Sequence, residues 1–497
     1  MIDTRTPRLP TKENSMSTLC AAMVGFEITP DFHPEHGAWG TTPSVTRLDP
    51  NIQGLFSRCL ALAMDGRQVL WFGSDLVGDV ASATDAWRLE LADALKLDSS
   101  QIIWSTSQTH SSGAIPGSAV SGSSVTELKT GDSSFIESQR ERLLNAIIAA
   151  GRQALDQLQP VDVWAGRGYC DSISYNSRLP MLLGGSKFSR DYAEGMQSDK
   201  YYDPTIGLVR FDDRSGKTIG TIFNFCCHPA VLIRNEHCSS DWVGTARACI
   251  EEASRDAPAM FVQGFCGDVH PKYMFGTPEQ SAGLGRRLGD AAIEALPTLV
   301  PVRTDRFDYS WKTVELPRQP MPSREMCESG IAKCEAFIEE VLHHNPRATW
   351  VDGYNHPEPD LFSPEDRAAS TQTSIDYYRA LIEMVEAGDT PPPTYSISLG
   401  ALRLGDIGAA FSPGENLTLT GFRVRSRSPF VHTLVCGDTN GLFGYIGPDE
   451  EIHRGGAETD YHWRMPWAGK FRLPLAEGSA QRVTDTLSEL LRLVWNS

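Results

Sequence analysis

The chain has 497 residues, 40% of them apolar and 22% charged, which is ordinary for a globular protein with a large buried core. Its net charge of −18 argues against a nucleic-acid partner and against an anionic membrane surface. No apolar run reaches the roughly 18 to 20 residues of a spanning helix, and the polar N-terminus lacks the apolar stretch of a secretory signal.

Residues 1–18 read as a disordered leader, with Met16 an alternative start, followed by one domain over 19–497. The odd count of eleven cysteines, none in a CxxC pair, reads as free thiols in a reducing, cytoplasmic setting. Ala21 to Pro30 is a short strand. Leu55–Met64 and Gln68–Phe72 form a hairpin about Asp65-Gly66. A helix over Val80–Leu97 leads to a strand over Gln101–Trp104, and then to a Ser/Gly/Pro loop that carries Gln108 and His110. Phe135–Leu158 is an amphipathic helix with Leu144, Ile147, Ile148 and Leu155 on one side. Val161–Gly168 is a strand, followed by a loop, YCDSISYNSRLP, that bears Arg178.

Gly207–Phe211 and Thr218–Phe225 read as a hairpin. The apolar runs Gly220–Cys227 and Ala259–Phe265 are buried strands that end abruptly in polar residues. The first ends at His228 and Pro229, the second at Asp268, His270 and Pro271. Val243–Ala253 between them is a helix, with Ser239, Ser240 or Asp241 to cap it. Strand, helix, strand with reactive groups at the strands' carboxyl ends is where open α/β sheets place ligands. A helix over Gln280–Leu296 and a strand over Phe307–Leu316 come next. Residues 317–393 read as an inserted helical arm, with helices at Glu325–His344 and Pro364–Ala387 and its His343-His344 pair on a solvated face. Strands resume at Tyr395–Leu402 and Asp406–Phe411, before a sharp turn with Glu415 at its point. Val431–Cys436 then ends in a Gly-rich loop carrying Tyr445, and Ser479–Val494 is the last helix. The fold class is α/β, with mixed β-sheets packed against helices.

Two His and a carboxylate are a familiar set for catalytic zinc. No local metal motif is present, and the candidates span much of the chain. Taken alone, each reads equally well as structural: a strand-end His that only hydrogen-bonds, Glu415 as a helix cap, Tyr445 as a packed aromatic, Asp268 as a turn former. Cys226, Cys227 and Cys266 read as small packing residues.

An ordered set of short motifs changes that balance. VGFEITP, SQTHSSG, YNSRLP, NFCCHPAV, QGFCGDVHP, FSPGENLTLTG and NGLFGYIGPDEE occur in the order of, and resemble, the motifs of the neutral ceramidase catalytic domain, over roughly Ala21 to Trp467. That family consists of zinc-dependent amidases that cut the N-acyl bond of sphingolipids. The resemblance implies a ceramidase-like fold and a zinc ion held by His110, His228, Glu415 and Tyr445. It implies a substrate contact for Arg178, and orienting or turn-fixing roles for Asp241 and Asp268. The departures are specific. Glu27 stands where an Asp is usual. Gln108 stands where the family has the first of two His, which leaves open whether Gln108 or His110 faces the metal. His270 stands where the family has its nucleophilic Ser, and Ala457 where it has a Tyr, with Tyr461 nearby. The family's C-terminal β-sandwich is expected to be missing.

The resulting expectation is a cytoplasmic zinc hydrolase that cleaves the amide bond of a soluble substrate by metal-activated water. His270, Asp268 and Arg178 act in catalysis, and Arg178, Gln108 and Tyr461 bind substrate. A glycoside or ester hydrolase of a soluble carbohydrate derivative, and an inactive metal-binding scaffold, are the alternatives. The expected partner is a small-molecule substrate, with no nucleic acid and no membrane span; a homo-oligomer stays open.

Overall fold

The computed structural model describes residues 18–497 apart from 40–43, 50–51, 119–131, 182–184, 197–199, 234, 352–353, 356–361 and 466–469. The leader over 1–17 and the far part of the Ser/Gly loop lie outside the described residues.

Two sheets pack face to face. The large sheet has nine strands. Its main path runs Ala259–Gln263, Thr218–Phe225, Thr205–Asp213, Gln159–Tyr169, Cys20–Glu27, Phe56–Met64, Arg67–Ser74, Ile102–Thr106, and Val300–Val302 pairs beside Gln159–Tyr169. The small sheet runs Phe307–Pro317, Thr394–Leu404, Ile407–Phe411, His432–Cys436. The inner faces share one core, in which Trp71 of the large sheet meets Phe411 of the small one edge-on at 5.1 Å. The indole N–H of Trp71 is kept bonded by Ser105 Oγ at 2.9 Å. Helices Ala81–Leu95 and Ser133–Asp156 cover one half of the large sheet's outer face, and Asp241–Ala253 and Pro278–Ala295 the other. Thr418–Arg427 and Ser479–Asn496 pack against the small sheet. The result is a helix–sheet–sheet–helix sandwich, the α/β class expected from the sequence.

Most strand pairs are antiparallel. The parallel ones are Arg67–Ser74 with Ile102–Thr106, Thr218–Phe225 with Ala259–Gln263, and Ile407–Phe411 with His432–Cys436. Each parallel pair is joined through a helix: Ala81–Leu95, Asp241–Ala253 and Thr418–Arg427. A parallel pair needs such a crossover, and its strands end on the same side. The three units therefore bring their carboxyl ends, and every candidate group past them, to one rim.

Two details differ from the sequence reading. The 170–180 stretch is not all loop: Ser174–Asn176 pairs with Val269–Pro271, and Arg178–Pro180 with Ser186–Phe188. The first arm helix is α-helical only to Glu339 and closes in a π turn over Glu340–His344, where both His side chains are exposed beside Glu339. The arm has its own small core of Cys334, Phe337, Val341 and Ile375. It is tied to the body where Ser370 Oγ meets the Tyr461 hydroxyl at 2.7 Å.

Asp79, on the loop after Arg67–Ser74, is buried and holds the far side of the His110 loop, accepting from Ile115 N at 3.1 Å and from Ser118 Oγ. Burial pushes its carboxyl up to about 7, above the roughly 3.9 of an unfolded chain. The native state thus holds this proton more tightly than the unfolded one. That stabilisation is complete below about pH 4 and is lost as pH rises through about 7. Thermal melts of wild type and Asp79→Asn across pH 4 to 8 should show the wild type losing stability relative to the variant over that window. Parallel profiles would show that Asp79 is not protonated in the fold.

Candidate active site

The rim is fastened by hydrogen bonds between loops of both sheets. Asn440 N donates to Trp104 O (2.7 Å), Thr106 N to Asp438 O (3.1 Å) and Gly437 N to Gln263 O (3.0 Å). His110 N donates to Pro229 O at 3.0 Å, and His228 N to Val269 O at 3.1 Å. Glu415 and Tyr445 lie opposite each other in a short parallel pairing. Gly267 packs so tightly against this pair that a Cβ there would lie 2.5 Å from the Glu415 carbonyl oxygen. Gln108, Asp241, Asp438 and Asn440 all have left-handed backbones, conformations that non-glycine residues hold at a cost and that gather at functional sites.

His228 is fully buried. Its Nδ1 bonds the Val269 carbonyl at 2.9 Å, so Nδ1 carries the proton and Nε2 faces Glu415 Oε2 at 3.1 Å. A backbone carbonyl that fixes the tautomer in this way is the usual support of a metal-binding imidazole. The His110 ring lies 5.9 Å from that of His228 and the Tyr445 ring 6.4 Å. Burial and the neighbouring His228 push His110 down to about 4, so it is neutral at pH 7. Burial alone would raise the Glu415 carboxyl, but the facing His228 ring and hydrogen bonds from Gln108 and Tyr445 hold it below its usual value. Tyr445 is a neutral phenol, pushed well up by burial and by Glu415.

Asp438 adds to this. It is buried, and among the described residues neither carboxylate oxygen has a hydrogen-bond donor. Burial and then Glu415 push it far above a normal carboxyl. Neutral nitrogen donors, a phenol, an ionised carboxylate and a second, orphaned carboxyl suit a divalent cation in chemistry. In spacing, no group of three or more His, Cys, Asp or Glu surrounds a common point among the described residues, because His228 and Glu415 close directly on each other.

His270 stacks on His228, with centroids 4.4 Å apart and planes 5° off parallel, and its Nδ1 meets Ser177 Oγ at 2.9 Å. Burial and the imidazoles of His228 and His110 hold it well below its usual pKa. Asp268 accepts from Thr418 N (2.8 Å), Thr418 Oγ1 (2.7 Å) and Asn176 Nδ2 (2.8 Å), which fully occupies it in joining three loops. Asp241 likewise accepts from Leu232 N, Trp242 N and Ser281 Oγ. Gln108 lies beneath the site, against Glu415 and within 3.9 Å of Cys266 Sγ. Cys226, Cys227 and Cys266 are buried, and desolvation pushes their thiols far up, which makes them inert packing groups.

Above these residues lies a cavity of about 210 Å³, lined on one wall by His110, His270, Tyr445 and His462. Phe188, Arg190, Phe275, Phe362, Ser370 and Tyr461 also line it. A larger groove of about 950 Å³ follows Arg67, Arg214 and Arg303 and contains none of the candidate residues. Arg178 is not in the cavity. Its guanidinium is buried and wholly engaged, with Nε 3.1 Å from Glu451 Oε2, a contact to Glu458 Oε2, and a bond to Gly455 O at 2.8 Å. Tyr461 does line the cavity, bonded to the arm. Arg190, His462 and Asp438 were not singled out from the sequence. They sit in irregular segments with no periodicity or motif to mark them, though His462 adjoins Tyr461.

No family model matches the chain, and no curated protein matches it in sequence. Among solved structures, 96% of the chain aligns with neutral ceramidase from Pseudomonas aeruginosa at TM-score 0.60 and 14% identity, covering 75% of that chain. A ceramidase structure described as complexed with C2 aligns over 96% at TM-score 0.64 and 15% identity, covering 76% of that chain. The chain has the neutral ceramidase fold.

Arg178→Met should strand the Glu458 carboxylate in the interior, while Glu451 keeps Lys200 and Arg454, and lower stability by about 3–5 kcal/mol. Denaturant unfolding reads this. A variant as stable as wild type but with weakened substrate binding would return Arg178 to the substrate site.

Proposed function

We propose that this chain is a zinc-dependent hydrolase that cleaves the amide bond of a small, water-soluble N-acyl compound. The observation that supports it best is the meeting of His110, His228, Glu415 and Tyr445 from separate strand ends, with His110 and Tyr445 lining the cavity beside them. These four residues would hold the ion, which when bound supplies Lewis acidity to the scissile carbonyl and lowers the pKa of a nucleophilic water. The ceramidase fold supports an amide as the bond, by likeness of scaffold.

The chain's own groups then have defined tasks. His110 enters as a neutral donor. The Val269 carbonyl holds His228 in its tautomer. Ser177 Oγ lies 3.4 Å from the Asp268 carbonyl, to which it can donate. With Ser177 so engaged, His270 Nδ1 keeps its proton and Nε2 takes one from the attacking water and returns it to the leaving nitrogen. An imidazole at this position, where a serine would attack directly, makes water the nucleophile and requires no acyl-enzyme. The arm, through Phe362, Ser370 and Tyr461, helps keep bulk water out.

Elemental analysis after zinc supplementation should find one equivalent per chain in wild type and less than about a tenth in the double variant His228→Ala, Glu415→Ala. An intact equivalent in that variant would overturn the ligand set. His270→Ala should lower kcat by about 10²–10⁴ with metal content unchanged. Activity within about threefold of wild type would remove the proton-transfer role, and loss of the metal would make His270 a ligand.

A further inference from the structure

Among the described residues, Asp438 is the one buried carboxyl to which nothing is bonded. Every other buried Asp or Glu there accepts at least one hydrogen bond. Asp438 is 1% exposed, and neither of its oxygens has a donor. No lysine or arginine offsets it. The one charged group that acts on it is Glu415, which has the same sign. Its backbone is left-handed, with φ at 46°, a conformation that glycine holds more cheaply. An unpaired buried carboxylate is among the costliest groups to take out of water, so one held in this way calls for a cation.

Three backbone hydrogen bonds fix where Asp438 stands. Gly437 N donates to Gln263 O at 3.0 Å, Thr106 N to Asp438 O at 3.1 Å, and Thr439 N to Ser412 O at 3.0 Å. Those partners stand just ahead of Cys266, Gln108 and Glu415 in the chain. Asp438 is thus pinned among the three turns that carry these side chains. The contacts continue into the site. Asp438 is the charge that acts most strongly on the Cys266 thiol, and Cys266 Sγ lies 3.9 Å from Gln108 Oε1. Gln108 bonds Glu415, which faces His228.

We infer that Asp438 is a further ligand of the metal, joining Glu415 as a second carboxylate on the same ion. This rests on the metal-centre reading of the site and adds to its donor set. Two carboxylates balance the charge of a divalent cation, and the cation removes the repulsion between them. The rim loops then serve a second purpose: the bonds that join the two sheets also hold an anionic oxygen donor beside Glu415.

The test uses zinc alone as the probe, on the full chain. Competition with a chromophoric chelator measures zinc affinity, and denaturant unfolding measures the stability of the metal-free chain, for wild type, Asp438→Leu and Asp438→Asn. Asp438→Leu should weaken zinc binding beyond the roughly 10- to 100-fold that loss of an outer partner costs. Asp438→Asn should also weaken it, because an amide oxygen carries no charge. Without metal, neither variant should unfold at a lower denaturant concentration than wild type, since each removes an unpaired buried carboxyl. Zinc should raise the midpoint of wild type much more than that of either variant. If Asp438→Leu does not fold, Asp438→Asn, which keeps the shape, carries the comparison. Zinc affinity within about threefold of wild type in a folded variant, less than even an outer partner's loss, overturns the assignment. So does a metal-free midpoint well below that of wild type in Asp438→Asn, which would make Asp438 a structural group. Zinc binding that survives in the Asp438 variants but is lost in His228→Ala, Glu415→Ala overturns this assignment alone. A wild type that takes up no zinc overturns the metal reading along with it.

Discussion

The site depends on one buried imidazole. Ring and backbone of His228 both bond the carbonyl of Val269, 41 residues further along the chain, and the free edge of the ring meets Glu415. Two strands of the large sheet and a turn from the small sheet must be in register for this contact to exist. The sandwich supplies that register, because its parallel pairs all end on the same rim. A buried His facing a buried carboxylate is costly to desolvate, and the cost is sustained only where the surroundings fix both groups. Gly267 against the Glu415 backbone, and Asp268 spanning Thr418 and Asn176, are the surroundings that do so here.

Much of this architecture was legible in the sequence. Apolar runs such as Ala259–Phe265 end sharply in Gly, Asp and Pro, which marks a strand end whatever the tertiary context. The helix between Thr218–Phe225 and Ala259–Gln263 is legible with Ser239, Ser240 or Asp241 as its cap, and it begins at Asp241, whose carboxylate accepts from Trp242 N. His110, His228, Glu415 and Tyr445 stood out because each follows such an end. What was illegible depends on pairs distant in sequence. Arg178 carries a motif position, but its role is decided by Glu451 and Glu458, 273 and 280 residues away, and no spacing rule connects them. The cavity's lining is harder still. Phe188 ends a three-residue strand, Arg190 and Phe362 come from irregular segments, and only the fold stacks them. The orphaned carboxylate of Asp438 is a property of the closed structure.

The helical arm links packing to chemistry. It has its own core and reaches the site through few side chains, among them Phe362 and Ser370. Those suffice to narrow the space above His110 and to complete a set of three rings about Arg190. The arm thus bounds the cavity on a fold shared with ceramidases.

The central claim is that nitrogen and oxygen donors from both sheets form one metal centre, with the nearby thiols of Cys226, Cys227 and Cys266 taking no part. Zinc-edge X-ray absorption on the supplemented chain tests it directly. The account predicts an inner shell of nitrogen and oxygen at about 2.0–2.2 Å with the scattering signature of two imidazoles and no sulfur. A sulfur shell near 2.3 Å, or a spectrum of hydrated zinc without imidazole, would contradict it.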